Sequence, residues 1–94
     1  MSLTLTPRFR AQLKARAHSL EALVHLGKAG LSEEVVRQTD FALAAHELIK
    51  VRLVDANRQS RAVLSEALAD RTEAGIVQSV GRVLVLWRPR PDDA

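Results

Sequence analysis

The sequence has no cysteine and no tyrosine, and its aromatic residues are limited to Phe9, Phe41 and Trp87. Without cysteine there is no disulfide framework, no thiol nucleophile and no cysteine-ligated zinc. No apolar run approaches the ~18 residues that a membrane span requires. The N-terminal stretch MSLTLTPRFR also lacks the hydrophobic core of a secretory signal. We therefore expect a cytoplasmic protein that does not enter a membrane.

Length and composition favour one ordinary folded domain. The chain has 94 residues, of which 47% are hydrophobic and 27% are charged. We predict a single domain over residues 1–90 and a loose tail over residues 91–94, because Pro89 and Pro91 end the last predicted strand. The net charge is +3 and the pI is about 10.2. The charges fall in blocks of alternating sign, which produce either a basic face suited to nucleic acid or an ordinary mixed surface.

The first predicted helix begins at Thr6-Pro7, where threonine caps the helix and proline fits the first helical position. Apolar residues then recur at helical spacing, at Phe9, Leu13, Ala17 and Leu20. Cations fall off this stripe, at Arg8, Lys14 and Arg16. The pattern predicts a helix with one apolar face and one basic face.

Residues 22–26 form a short apolar run that ends at a glycine, which predicts a strand. Ser32 can cap the next helix, and Glu33 and Glu34 lie where the helix dipole favours acids. One face of this second helix carries Val35, Val36, Thr39, Ala42, Leu43 and His46. Phe41 lies nearly opposite that face, and we expect it to be exposed or to make a contact.

Residues 47–54 alternate in polarity, which predicts a second strand. One side carries Ile49, Val51 and Leu53, and the other carries Leu48, Lys50, Arg52 and Val54. Either Asp55 or Asn57 caps a third helix that runs to about Arg71. The residues predicted to point inward from this helix are Val63, Leu64, Ala67 and Leu68.

The segment GIVQSVGRVLVLWRP contains two strands around Gly81-Arg82, a pair that suits a type II′ hairpin turn with Arg82 at its exposed tip. The predicted order is therefore α-β-α-β-α-β-β. Helices between strands imply parallel strands joined by right-handed crossovers, and the final hairpin adds an antiparallel pair. The prediction is an α/β fold, a single compact domain with a four-stranded mixed sheet.

Catalytic chemistry has little support in the sequence. The histidines His18, His25 and His46 lack metal-ligand spacing such as H-E-x-x-H. There is no G-x-S-x-G elbow and no Walker loop. The neighbouring acids Glu33 and Glu34 are explained by the helix dipole. We therefore expect no cofactor, no metal and no enzymatic activity.

The segment VHLGKAGLSEE contains the sharpest candidate site, the loop formed by Gly27, Lys28, Ala29 and Gly30. Two glycines let the backbone turn tightly and approach a ligand closely, because neither has a Cβ. The helix that Ser32 opens offers unpaired N–H groups nearby, and Lys28 adds a full charge. The loop is either a plain turn or a phosphate clamp like the G-x-x-G loop of KH domains.

The surroundings of the loop favour the clamp. The first helix is basic, and the second strand carries Lys50 and Arg52 on one side. Because aromatic residues are only 3% of the chain, a platform that stacks bases on several aromatic rings is not expected. A binder with this composition relies on backbone charge and shape.

Four segments together resemble the CRM domain, the YhbY-type RNA-binding domain: AHSLEALVHLGKAGLSEEVV, ALAAHELIKVRL, NRQSRAVL and IVQSVGRVLVLWRP. The resemblance implies a fold like the C-terminal domain of bacterial translation initiation factor three. It also implies association with precursors of the large ribosomal subunit, as for stand-alone bacterial members. The family's G-x-x-G loop, which is implicated in RNA contact, maps onto Gly27, Lys28, Ala29 and Gly30. Its basic positions map onto Lys50, Arg58 and Arg88.

The chain departs from the family pattern after the third helix. Many members read T-G-A there, and a glycine can end the helix in a left-handed conformation. This chain reads Thr72-Glu73-Ala74-Gly75, so we expect a different cap that uses Gly75. Trp87 replaces a common tyrosine, and we expect it to pack.

The leading hypothesis is a non-catalytic, monomeric RNA-binding protein, a ribosome assembly factor that binds large-subunit precursor RNA or pre-ribosomal particles. The expected RNA contacts are the loop of Gly27, Lys28, Ala29 and Gly30, with Arg8, Lys14, Lys50, Arg52, Arg58 and Arg88. The alternative is a protein-interaction module that docks a ribosomal or other protein through the acidic second helix and Phe41. An enzyme is the weakest hypothesis.

Overall fold

The computed structural model describes residues 4–27, 30–54 and 57–90. The elements in chain order are α1 (Pro7–Ala17), β1 (Ala22–Leu26), α2 (Glu33–His46), β2 (Leu48–Leu53), α3 (Arg58–Thr72), β3 (Gly75–Val80) and β4 (Val83–Trp87). The predicted α/β class and element order are confirmed.

Some predictions concern residues that the structure does not describe. These are the tail at residues 91–94, the alternative cap Asp55, and the loop residues Lys28 and Ala29. Within the described ranges no helix is long and apolar enough to cross a membrane.

The four strands form one mixed sheet in the order β1-β2-β4-β3. Strands β1 and β2 are parallel and joined through α2, whereas β4 pairs antiparallel with both β2 and β3. The connection through α3 therefore skips one position in the sheet, because β4 inserts between β2 and β3. The predicted mixed sheet is confirmed.

Helices cover both faces of this sheet. Helices α2 and α3 pack on one face over a core of Val24, Leu26, Val36, Ala42, Leu43, Ile49, Val51, Leu53, Leu68, Ala69, Ala74, Leu84 and Leu86. Helix α1 packs on the other face over Leu5, Leu13, Ala17, Leu48, Val77 and Val85. Because β4 is covered on both sides, its consecutive residues 84–86 are all buried.

Each helix begins at the predicted cap. The side chains of Thr6 and Ser32 accept hydrogen bonds from backbone N–H groups three residues later, both at 3.2 Å. The Asn57 Oδ1 accepts from the Ser60 N–H at 2.8 Å. Such caps satisfy N–H groups that have no partner within the helix.

Three residues that the patterns placed on packing faces of the helices are exposed, and the inward orientation predicted for Val63 is wrong. Leu20 lies beyond the end of α1 and is 37% exposed, and His46 is exposed at the end of α2. Val63 is 64% exposed, since α3 is rotated from the predicted orientation. Its buried residues are Ser65, Leu68, Ala69 and Thr72. Three of these are small, and they let the helix pack closely against its neighbours.

The predicted role of Gly75 as the cap of α3 is also wrong. Glu73 ends the helix in the left-handed conformation, with φ 56° and ψ 37°, and Gly75 is already the first residue of β3. The prediction for Trp87 is confirmed, because its ring packs edge-on against Phe9 with centroids 4.8 Å apart.

Candidate nucleic-acid interface

The G-x-x-G loop lies at the carboxyl end of β1. The Gly30 N–H donates to the Gly27 carbonyl oxygen at 2.9 Å, which closes a four-residue turn. The two predicted contacts between these glycines in the sequence, Lys28 and Ala29, lie outside the described residues. The loop leads into Ser32 and the N-terminus of α2, whose dipole favours an anion.

The two glycines of the loop differ in what the fold requires of them. Gly30 has φ 74°, a conformation that favours glycine. Gly27 does not have such a φ, and among the described residues no atom beyond its chain neighbours lies within 4 Å of a Cβ built on its backbone. Within the described part of the chain, neither backbone conformation nor packing therefore requires a glycine at position 27. Its backbone is open to close approach from outside.

Two further segments meet the loop at this end of the sheet. The Val54 N–H donates to the Leu26 carbonyl oxygen at 2.8 Å, which holds the end of β2 beside the start of the loop. The Leu53 N–H donates to the Arg82 carbonyl oxygen at 2.7 Å, which holds the β3–β4 turn on the other side of β2. Arg82 is exposed at the tip of this turn, as predicted. Gly81 has φ 56°, which agrees with the predicted turn type.

The α1 side of the sheet is only partly covered, and its uncovered part adjoins the loop. One row of side chains crosses all four strands there, because His25 pairs with Arg52, Arg52 with Val83, and Val83 with Val80. His25 and Arg52 are exposed, and Val80 is 57% exposed. The row is thus exposed at His25, Arg52 and Val80, whereas Val83 also packs against the core under α1.

Helix α1 borders this row with basic groups. Lys14 lines a cleft together with Lys50, Val80 and Val83. The Lys50 Nζ lies 3.5 Å from the His18 carbonyl oxygen, to which it donates a hydrogen bond. We call the surface made of these residues the open face; it comprises Lys14, His25, Lys50, Arg52, Val80 and Val83. Its charged groups are all basic at neutral pH.

The structure therefore brings part of the predicted contact set together. Lys14, Lys50 and Arg52 lie on the open face, which adjoins Gly27 and Gly30. Arg8 is exposed on α1, and helical geometry places it on the side opposite the buried Leu13 and Ala17, away from the sheet. Arg58 is the first residue of α3 and is exposed, but α3 packs on the other face of the sheet.

Arg88 lies just beyond β4, at the end of the sheet opposite the loop. Its Nη1 donates to the Asp40 Oδ1 at 2.7 Å and to the Thr72 carbonyl oxygen at 2.8 Å. Its Nη2 donates to the Asp40 carbonyl oxygen at 3.2 Å, and its side chain is only 22% exposed. These contacts give Arg88 a structural role that links β4 to α2 and α3.

His25 is a residue of the open face that the sequence reasoning did not select. Alternation within β1 separates His25 from the buried Val24 and Leu26. The sequence alternation is enough to predict that His25 is exposed. It does not predict that His25 pairs with Arg52, because the parallel register of β1 with β2 depends on the tertiary fold.

The acidic face of α2 is largely neutralised. Its carboxylates pair with arginines in Glu33–Arg71, Glu34–Arg37 and Asp40–Arg88, and Glu47 after the helix pairs with Arg90. The Arg71 guanidinium, by hydrogen bond and by charge, lowers the pKa of Glu33 from its ordinary value of 4.5. Phe41 is 78% exposed, as predicted. The face thus presents exposed carboxylates that are paired with arginines, together with one exposed apolar ring.

Comparison with known proteins identifies the family. The model of the CRS1 / YhbY (CRM) domain matches residues 5–88. A Haemophilus influenzae protein named RNA-binding protein is 41% identical over 86 residues, which span 92% of this chain and 87% of that protein. YqeI of Bacillus subtilis is 31% identical over 84 residues, which span 89% of this chain and 88% of that protein.

A solved structure agrees with this result. The solution structure of a hypothetical protein from Staphylococcus aureus matches with a TM-score of 0.84 at 30% identity, and covers 97% of this chain and 95% of that one. The chain belongs to the CRS1/YhbY (CRM) domain family, as its sequence resemblance implied.

Proposed function

We propose that this protein is a non-catalytic RNA-binding protein that holds the RNA backbone at the G-x-x-G loop and on the open face. The proposal rests on one observation: the backbone of Gly27 has open space around it and lies beside the basic open face. Fold and packing leave the missing side chain at Gly27 unexplained, and close approach of a ligand explains it. The name of the Haemophilus influenzae relative supports RNA as that ligand.

The binding energy comes mainly from phosphate contacts. Lys14, Lys50 and Arg52 replace condensed counterions on the RNA, and the N-terminus of α2 adds a partial positive charge beside the loop. Such contacts position the backbone without reading sequence. The proposal therefore predicts affinity that falls steeply with salt and modest sequence preference. Lys28, at the centre of the loop, is expected to add one more phosphate contact.

The RNA we propose is large-subunit precursor RNA, bound in pre-ribosomal particles by a monomer in the cytoplasm. This part rests on the family resemblance, in which stand-alone bacterial members associate with such precursors. Sedimentation of the tagged protein through a gradient of cell extract tests it. The protein is expected to travel with large-subunit precursors, and co-sedimentation only with mature ribosomes or with no particle would contradict it.

The loop is tested by binding to structured ribosomal RNA fragments across a salt series. A Gly27→Asp variant adds a side chain and a negative charge where the free protein has space, so it is expected to fold normally and bind RNA much more weakly. Gly27→Ala is the matched control for charge, and it should weaken binding to a smaller extent. If Gly27→Asp binds RNA with unchanged affinity, the loop is a plain turn and does not hold the RNA backbone.

Phe41 supports a second candidate function, the docking of a ribosomal or other protein. Its exposed ring lies in a groove that is also lined by Leu23, Ala42 and Ala45 and by the polar residues Arg37, Gln38 and His46, and Leu23 is 51% exposed. Since Arg37 is paired with Glu34, the contact would gain most from apolar burial and would depend on salt less than RNA binding does. A Phe41→Ser variant that keeps its RNA affinity but no longer sediments with precursor particles would favour this function.

A further inference from the structure

The row of side chains across the open face has a composition unlike a simple phosphate-binding surface. From β1 to β3 it reads His25, Arg52, Val83 and Val80. Neighbouring strands lie about 4.8 Å apart, so the row extends over roughly 14 Å. Two planar polar groups thus stand beside two apolar groups on one continuous surface.

The planar groups of the row are available to a ligand. His25 and Arg52 are both exposed, and neither side chain forms a hydrogen bond or ion pair with another residue in the described ranges. Imidazole rings and guanidinium planes stack against unpaired bases of RNA. Val80 is 57% exposed and offers apolar contact at the far end of the row.

The three aromatic rings of the chain do not lie on the open face. Phe9 and Trp87 pack edge-on against each other beneath α1, with their ring planes at 90°. Phe41 projects from α2, which packs on the other face of the sheet. On the open face the stacking surface is therefore supplied by His25 and Arg52.

The row also lies at the right distance from the loop. His25 precedes Gly27 by two residues, which in an extended strand is about 7 Å. A phosphate held at Gly27 and a base resting on His25 are therefore separated by about one nucleotide step. Valine side chains further along the row give a following nucleotide apolar contact.

From this arrangement we infer that His25 and Arg52 bind an unpaired nucleobase, so that the RNA at the loop is single-stranded. In a duplex both faces of every base are covered by stacking within the helix, and a side chain on a sheet surface cannot reach them. The inference rests on the proposed function, because it concerns the RNA held by the same loop. It adds the class of RNA and two base-contacting residues, His25 and Arg52.

The experiment uses a short RNA with one 2-aminopurine, whose fluorescence reports stacking, either free or annealed to its complement. The wild-type protein should bind the free strand more tightly and change its fluorescence. His25→Ala should weaken binding of the free strand about tenfold and remove the fluorescence change. Its binding to the duplex should be unchanged. His25→Phe, which keeps a ring and loses the titratable nitrogen, should restore both signals.

His46→Ala is the matched control, because His46 is also exposed but lies at the end of α2. It should leave both signals at wild-type values. If the wild-type protein binds RNA with a steep salt dependence while His25→Ala behaves like the wild type, the stacking inference is wrong and the proposed function stands. If the wild type prefers the duplex, the inference is wrong as well. If the wild type binds neither RNA, the proposed function fails and the inference fails with it.

Discussion

Arg88 fastens the end of β4 to the middle of α2 through Asp40, although the two residues are 48 positions apart in the sequence. The guanidinium also donates to the carbonyl oxygens of Asp40 and Thr72, and the latter is an acceptor at the end of α3. One side chain therefore joins the last strand to both helices on that face of the sheet.

Replacing Arg88 should destabilise the domain. Arg88→Ala leaves a half-exposed carboxylate and two carbonyl oxygens without this donor, and hydrogen bonds to charged groups are worth about 2 kcal/mol each. We expect a loss of about 2–3 kcal/mol in the free energy of unfolding, measured by urea denaturation. Arg90→Ala, which breaks the more exposed pair with Glu47, should cost less than about 1 kcal/mol. Equal stability of the two variants would contradict this role for Arg88.

Glu73 should be a site where glycine stabilises the protein. Its left-handed backbone, with φ 56°, is unfavourable for a residue with a Cβ by about 1 kcal/mol. Glu73→Gly removes that cost, and we expect a gain of up to about 1 kcal/mol in urea denaturation. Glu73→Ala keeps the Cβ and should bring no comparable gain. A destabilised glycine variant would show that the Glu73 side chain matters more than its backbone conformation.

The pairing of Glu33 with Arg71 should make part of the stability depend on pH. Because the pKa of Glu33 is lowered in the folded state, the contribution is present above the unfolded pKa. It is lost as the pH falls through the folded pKa. We therefore expect Glu33→Gln to lower the melting temperature slightly at neutral pH, and the difference from wild type to vanish in acid. Added salt should also reduce it, since the pair is exposed. A difference in melting temperature that persists in acid would show that it does not come from the ion pair between Glu33 and Arg71.

Much of the fold could be predicted because the signals are local. Thr6, Ser32 and Asn57 each cap a helix through a contact three residues away. The alternation in β2 likewise places Lys50 and Arg52 on the side opposite Ile49 and Val51 without knowledge of the partner strands. The confirmed elements all depend on chemistry within a few residues of sequence.

The rest depends on how elements meet, which local patterns do not specify. Val63 looked like a core residue, but α3 turns its small residues Ser65 and Ala69 inward because they fit closely against the neighbouring elements. His25 and Val83 come to lie on either side of Arg52 only because β4 inserts next to β2. The open face is a product of strand order and register.

The central claim is that RNA binds on the open face beside the loop, and salt dependence tests it most directly. The measurement is the slope of log affinity against log salt for a ribosomal RNA fragment, for wild type, Lys50→Gln and Arg8→Gln. Each phosphate contact contributes about 0.7–0.9 to that slope. We expect Lys50→Gln to reduce the slope by about that amount and Arg8→Gln, on the far side of α1, to leave it unchanged. A slope that responds to Arg8→Gln and not to Lys50→Gln would place the RNA on another surface.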